Sequence, residues 1–545
     1  MSEDPNDHES SSDSPSAVPD VADVRADGGA AGADDVALDP WGSATIGDYR
    51  KLFEQFGIEE FEETLPEVPN PHYLMRRGVI FGHRGYRRVA DALREGEDAA
   101  VLSGFMPTGD PHIGHKMVFD EIIWHQGQGA DAYGLIADLE AHAARGLSWG
   151  EIDEHTENYL LSFLALGFDP EAGEIYRQSG NREVQDLAFE LGTKANFSEL
   201  QAIYDFDGET NVSYMQSVVT QMADILYPQL EGPKPTVIPV GPDQDPHVRL
   251  ARDLAARMRF FKVIEAYFSQ ELEPAELGLL GRIVDSGAVS PEDHDDETLR
   301  CVHVAQFVDA LRAGETASEI EASPDVLDSL FGKLDEAGME PIRPRVRFFD
   351  RNATDEAFEA MIEAVEGEKR VFEGHVDAFE MELAEAEELA REVEVDHGGY
   401  GFHPPSSIYH RFMTGLTGGK MSSSIPASHI SLLDDPEEGY EKVRAATTGG
   451  RETAELQREL GGEADECPVY ELYAYLLSGD DDEFAKRVYE ECVGGERLCG
   501  DCKEQAAELM REFLADHQEK REEAREVLDG LDLDIETPRR RTEGR

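Results

Sequence analysis

The sequence predicts an α/β protein: a parallel-sheet domain, interrupted by a helical insertion and followed by a wholly α-helical C-terminal region. Three observations carry this. Between Tyr73 and about residue 265, short apolar runs of strand length alternate with longer stretches of helical spacing. Strands separated by helices pair in parallel, because a parallel pair needs a crossover long enough to hold a helix. From about Asp435 to Leu533 the apolar spacing is helical throughout. In an open parallel sheet, ligands bind at the carboxyl ends of the strands.

The elements follow in order. Met1 to Asp39 is rich in Ser, Asp, Ala and Gly, so residues 1–40 read as a disordered acidic tail. Residues 41–72 read as an N-terminal appendage, with an amphipathic element around Tyr49–Phe56. The main domain occupies 73–265. Within it Ala99–Leu102 reads as a strand, Ser103–Gly109 as a Gly/Pro turn, and a helix is expected from Pro111, with Asp110 as N-cap. Ala132–Ala137, Glu174–Gln178 and Pro235–Val240 read as further strands, and Trp149–Leu166 as a helix. Residues 266–398 form an acidic insertion with helices expected at Asp355–Val365 and Val371–Val393. A long surface insertion costs little loop-closure entropy. Residues 399–434 return to the main domain, and 435–545 form the helical region, ending in Arg539-Arg540-Arg541.

Composition bounds the setting. There are 116 Asp+Glu against 49 Lys+Arg, a formal net charge of -67. Disorder driven by charge fits only the tail, because 40% hydrophobic content with clear periodicity supports a core. The acidic surface suits a salt-in halophile: at molar salt the Debye length is roughly 3 Å, so self-repulsion is screened. No run reaches the apolar length of a membrane span and no signal-peptide pattern opens the chain, so a cytoplasmic protein is expected. Five cysteines are too few for a disulfide framework.

Two motifs carry the chemistry. Pro111-His112-Ile113-Gly114-His115 follows a strand and a glycine turn. His112 and His115 share one face near a helix N-terminus, which attracts anions. Gly114 between them lets a flat ring or a phosphate chain approach the backbone, and Lys116 adds a positive neighbour. Far downstream, Gly415 to Ser424 is a glycine- and serine-rich loop containing Lys420-Met421-Ser422-Ser423-Ser424. Its lysine can bring a point charge to a departing pyrophosphate, and its serines offer hydroxyl donors. Each motif alone is compatible with a ligand-free helix start or a solvated loop. Together, in this order, they point to phosphate chemistry on ATP.

The two motifs resemble the signatures of class I aminoacyl-tRNA synthetases. Further segments resemble the tyrosyl/tryptophanyl branch, and most closely its archaeal tryptophan members: Arg76–Arg84, Ile136–His142, Met222–Gln229, Val240–His247 and Tyr409–Leu416. The match covers roughly residues 70–265 and 400–520. The resemblance implies a Rossmann-like catalytic domain and a C-terminal anticodon-binding domain. It implies an enzyme that activates L-tryptophan with ATP and Mg2+, transfers it to tRNA, and works as a homodimer without a membrane. His112, His115 and Lys420 become the catalytic set. ATP contacts are implied at Gly104, His112, His115, Gly241, Asp243, Lys420, Met421, Ser422 and Ser423. Asp243, just after a strand, suits a ribose. Glu140, Gln221, Asp224 and Gln244 match positions that face the amino acid; Glu140 suits an indole N–H, which can only donate.

Tyrosine is the rival substrate. Tyrosine enzymes pair an aspartate matching Asp224 with a tyrosine where this chain has Leu102, so half of that phenol-reading pair is missing. A nucleotidyltransferase with another acceptor and a non-catalytic tRNA-binding relative also remain open. In the helical region Cys467, Cys492, Cys499 and Cys502 could hold zinc or an iron–sulfur cluster, as in some tryptophan enzymes, or could be plain buried thiols.

Overall fold

A computed structural model describes residues 52–53, 56–267, 270–285, 297–314, 320, 322–337, 344–419, 421 and 425–531. The expected acidic tail, most of the appendage helix, Lys420, Ser422, Ser423, Ser424 and the terminal arginines lie outside the described residues.

The strands are β1 (Glu59–Glu60), β2 (Ile80–Arg84), β3 (Ala100–Phe105), β4 (Asp131–Ile136), β5 (Gly173–Arg177), β6 (Thr236–Val240), β7 (Phe261–Ala266), β8 (Arg345–Asp350), β9 (Lys369–Phe372), β10 (His375–Ala378) and β11 (Ser406–His410). The main sheet has seven strands in the order β1-β2-β11-β6-β3-β4-β5. From β11 to β5 all neighbours are parallel, whereas β2 and β1 add an antiparallel edge. The sheet's edge therefore starts before Tyr73, with β1.

Helices cover both faces, which is why β3 and β4 read as almost continuous apolar runs. On one face lie the Ile113–Gly127 and Trp149–Ala165 helices, where Phe119 and Phe163 stack 5.0 Å apart. Ser148 and Glu151 cap the second of these reciprocally. On the other face the Val212–Leu226 helix buries Val218, Met222 and Leu226 against Ile238 of β6.

The insertion departs from the expectation. Asp355–Ala364 is a helix as read, but 371–378 is not. β9 and β10 form a hairpin there, turning at Gly374, whose φ is 89°. Acidic residues suggested a helix, yet Val371, Phe372 and Val376 favour strands and Gly374 supplies the turn. The helix begins at Leu383 and runs to Asp396. β7, β8, β10 and β9 make a fully antiparallel four-stranded sheet. The insertion is therefore mixed α/β.

The C-terminal region is helical, from Pro436–Ala445 to the long Cys499–Gly530 helix. That helix docks on the main domain through Arg521, which donates to Asn158 O at 3.2 Å, and through an Arg525–Glu157 ion pair at 3.0 Å. Among the described residues no helix is long and apolar enough to cross a membrane.

Candidate active site

The glycine turn after β3 hands the chain to the histidine helix. This helix starts at Ile113, so its N-cap is His112 and not Asp110. The His112 Nδ1 accepts from Gly114 N at 3.1 Å, and His112 N donates to His115 Nδ1 at 3.1 Å. An imidazole can replace the usual Ser or Asp here because its Nδ1 sits at a comparable reach from the backbone. The pairing also fixes both tautomers. A ring whose Nδ1 accepts carries its proton on Nε2. Burial, then the neighbouring His115 and His429, hold His112 well below the usual imidazole range; burial and His429 take His115 to about 4. Both rings are therefore neutral donors through Nε2–H. His115 directs that edge at Tyr159 Oη, 3.2 Å away, while His112 lines a cavity. A Cβ on Gly114 would stand 2.9 Å from the His112 ring, so this residue must be glycine for the rings to pack 3.9 Å apart.

Lys116 does not join the histidines. Its Nζ pairs with Asp120 at 2.5 Å and lies over the Phe513 ring of the long C-terminal helix. At helical spacing it points away from the ligand face, so it fastens two domains instead of adding charge to the site.

The return segment closes on the same place. Ile113 N donates to Ile430 O at 3.1 Å and Leu432 N to Pro111 O at 2.8 Å. The loop's flanks are held too: Gly415 N donates to Gly419 O at 2.8 Å and Leu416 N to Ser428 O at 2.9 Å. Met421 reaches into the cavity beside Gly114.

The cavity measures about 640 Å³. Of the expected residues, Gly104, His112, His115, Glu140, Gln221, Asp224, Gly241, Asp243, Gln244 and Met421 all line it. A Cβ on Gly241 would meet Asp243 Oδ1 at 2.6 Å and the Phe412 ring at 2.8 Å, so a glycine keeps the wall open. At one end, Glu140 is buried, and burial followed by the Asp224 charge raises its carboxyl to about 8. Burial raises Asp224 to about 7. Asp224 already accepts from Tyr176 Oη at 3.0 Å and Gln178 Nε2 at 2.7 Å. Gln221 Oε1 is buried without a partner among the described residues. Sequence reasoning did not single out Tyr176, Gln178, His410, Phe412 or Met413. The last three lie in the Tyr409–Leu416 segment, and neither Tyr176, on β5, nor Gln178, in the turn just after it, carries a motif to flag it.

The four expected cysteines share one small space of about 10 Å³, with Thr448, Tyr470 and Arg497 around them. Burial raises the Cys502 thiol to about 11 and pushes Cys492 up. Among the described residues no group of three or more His, Cys, Asp or Glu side chains is placed to hold a metal ion. The zinc or iron–sulfur expectation is therefore unsupported by this geometry.

Comparison with known proteins identifies the family. The family model "tRNA synthetases class I (W and Y)" matches residues 94–272 and 381–515. A curated tryptophan–tRNA ligase 1 of Halobacterium salinarum is 68% identical over 93% of this chain and 98% of its own length. The tryptophan–tRNA ligase of Methanosarcina acetivorans is 47% identical over 91% of this chain and 98% of its own. Among solved structures, the tryptophanyl-tRNA synthetase of Aeropyrum pernix is 32% identical, covers 91% of this chain and 99% of its own, and gives a TM-score of 0.60. The chain belongs to the class I aminoacyl-tRNA synthetases, in the tryptophan and tyrosine group, and is an aminoacyl-tRNA ligase.

Proposed function

We propose that this enzyme activates L-tryptophan with ATP and transfers it to tRNA(Trp). The observation that carries the reading is the single cavity into which the histidine helix, the strand ends and Met421 all project. The tryptophan carboxylate oxygen attacks the α-phosphate, a new O–P bond forms, and pyrophosphate leaves with the bonding pair. A ribose hydroxyl at the tRNA 3′ end then attacks the adenylate carbonyl, and AMP leaves. His112 donates Nε2–H to phosphate oxygens as charge develops, and a neutral ring can do so without a proton-transfer step. Lys420 and the Ser422 and Ser423 hydroxyls act from the loop on the departing pyrophosphate. Gly104 and Gly241 give the nucleotide backbone room and Asp243 takes the ribose hydroxyls. Magnesium arrives on the triphosphate: the described residues offer no carboxylate cluster of their own for it.

Glu140 accepts from the indole N–H, while Gln221 and Gln244 hold the ammonium and carboxylate. Tryptophan is favoured over tyrosine because both Asp224 oxygens already take hydrogen bonds from within the protein, one of them from the phenol of Tyr176. A substrate phenol would compete with that internal one. The test is ATP–pyrophosphate exchange in molar KCl without tRNA. Exchange with tryptophan alone is expected; exchange with tyrosine alone would overturn the substrate assignment, and none with either in folded protein would return the non-catalytic reading.

The working unit is a homodimer in this proposal. Phe189 and Val212 are each 78% exposed and Phe197 44%, on three consecutive helices, and exposed apolar side chains of this kind suit contact with a second copy. Phe189→Glu should shift the mass seen by light scattering from dimer to monomer. The helical region from residue 435 on contacts the anticodon arm, in the cytoplasm where tRNA is charged. For the cysteines, four thiols around one small space favour a soft ion and the lack of a ligating group counts against it; elemental analysis of anaerobically purified protein decides.

A further inference from the structure

The segment that carries Lys420 leaves the cavity wall at Met413 and meets it again at Met421. Its outgoing leg is held from the C-terminal helical region at two places. Glu471, in the first turn of the Pro468–Leu472 helix, accepts from Thr414 N at 2.6 Å and from Thr414 Oγ1 at 2.7 Å. Two residues further on, Leu416 O accepts from Thr447 N at 2.7 Å and from Thr447 Oγ1 at 3.1 Å. The main sheet does not supply these contacts, because β11 has already ended at His410.

The Glu471 contact is specific in its geometry. One carboxylate takes both donors of a single residue, so it fixes the Thr414 peptide plane through the N–H and its side-chain rotamer through the hydroxyl. Bonds to an ionised acceptor are also stronger than neutral ones. The arrangement has a cost: burial, against the two Thr414 bonds and then the charge of Arg411, pushes the Glu471 carboxyl up. An amide in its place could accept only one of the two bonds, since its other atom is itself a donor. Met413 and Leu472, the sequence neighbours of the pair, are buried, so the clamped residue has little room to shift.

We propose that Glu471 is a positioning residue for adenylate formation: it holds Thr414 so that the segment beyond it presents Lys420 to the pyrophosphate. The inference rests on the role given to Lys420 above and adds the residue of the helical region on which that role depends. Glu471 touches Thr414 and not the substrates. Through the same two bonds a shift of the Pro468–Leu472 helix reaches Thr414, one residue from the cavity wall at Met413.

The test is tryptophan-dependent ATP–pyrophosphate exchange in molar KCl, run as a cycle on Glu471→Gln and Lys420→Ala. Glu471→Gln should lower kcat on the order of 10-fold and leave the KM for tryptophan unchanged. In the Lys420→Ala background the same substitution should cost less than about 2-fold, because the lysine it positions is gone. Thr414→Val removes the hydroxyl bond from the other side and should repeat this pattern, which keeps the test decisive if Glu471→Gln folds poorly. Thr414→Ser, which retains both donors, should restore the rate lost in Thr414→Val. The proposal fails if Glu471→Gln slows exchange by the same factor with and without Lys420, or if it lowers the melting temperature with kcat unchanged. A Lys420→Ala enzyme as fast as the parent would sink the Lys420 reading and the proposal with it. A wild type that exchanges with no amino acid would sink the ATP reading, a different and recognisable result.

Discussion

Two clusters of buried polar groups, one on each sheet, treat buried charge in opposite ways. In the insertion, Arg345, Arg347 and Asp377 are almost fully buried and satisfy one another: Arg347 donates to both Asp377 oxygens at 2.6 and 2.8 Å, and Arg345 adds a bond at 3.0 Å. In the catalytic sheet, buried polar groups around the cavity are left open, among them Gln221 Oε1, His410 Nδ1 and Glu121. Glu140 has its carboxyl turned to the same cavity. The difference teaches where to look for chemistry. A closed ion cluster costs nothing further when ligand is absent, so it is architecture. An open one is expensive until something binds, so it marks a site.

The largest effect should come from breaking the closed cluster. Asp377→Ala removes the carboxylate that two buried guanidinium groups share, a loss of about 3–5 kcal/mol of stability. Burial works against the Asp377 charge, but the bonds and charges of Arg347, then Arg345, hold its carboxyl below the usual range. Because the cluster is buried, molar KCl should not rescue the variant. Chemical denaturation measures the loss, and exchange activity per folded molecule should stay unchanged. Lost activity in protein still folded would mean that the insertion serves catalysis after all.

Second is the open site. His112→Asn keeps an acceptor for the helix cap but removes the Nε2–H aimed into the cavity. We expect kcat to fall by about 10² to 10³ in pyrophosphate exchange, with stability within about 1 kcal/mol of the parent. The reverse pattern, stability lost and kcat kept, would make the ring a cap and nothing more.

These two sites differ as much in legibility as in energetics. The strand–turn–helix around His112 was readable because glycine and proline punctuation and the histidine spacing are local signals. Three further strands of the main sheet, at Ala132, Glu174 and Pro235, were readable from apolar runs that burial on both faces requires. The β9–β10 hairpin was not, since its acidic residues mask a short alternating pattern that only pairing with β8 makes stable. Glu471 was not, because its meaning depends on Thr414, brought to it across the fold from the return segment. Lys116 was misread for a related reason: proximity in sequence to His115 did not say which way its helix face would turn.

The third effect is a pH dependence centred on Glu140. Burial, then Asp224, raises its carboxyl from 4.5 to about 8, so the folded protein holds a proton there that the unfolded chain releases. Folding stability is therefore fully present below about pH 4.5 and falls as pH rises towards 8. Asp224, raised to about 7, adds to the same trend. Glu140→Gln should flatten part of this slope in thermal melts from pH 5 to 8. Binding should show the complement. If Glu140 accepts a substrate N–H as a carboxylate, the KM for tryptophan rises as pH falls below about 8, and the glutamine variant shows a higher KM that no longer varies with pH over that window. A parent enzyme with a flat KM from pH 6 to 9 would remove Glu140 from the substrate.

The smallest effect tests a residue on the border between the two kinds of charge. Lys116 follows His115 directly in sequence yet belongs to the closed kind: its ammonium meets Asp120, which also accepts from Tyr73 Oη at 3.0 Å. Removing it with Lys116→Met leaves the thioether against Phe513 and leaves Asp120 one hydrogen bond and a little solvent. The loss should be about 1–2 kcal/mol, below that of Asp377, because Asp120 is not stranded. Both kcat and the KM for ATP should be unchanged, since His112 and His115 are already neutral donors and need no added cation to hold that state. A fall in kcat comparable to that of His112→Asn, with the helix intact by circular dichroism, would show that the ammonium acts on the phosphates through the helix end. The border between architecture and site would then have to be moved one turn inward.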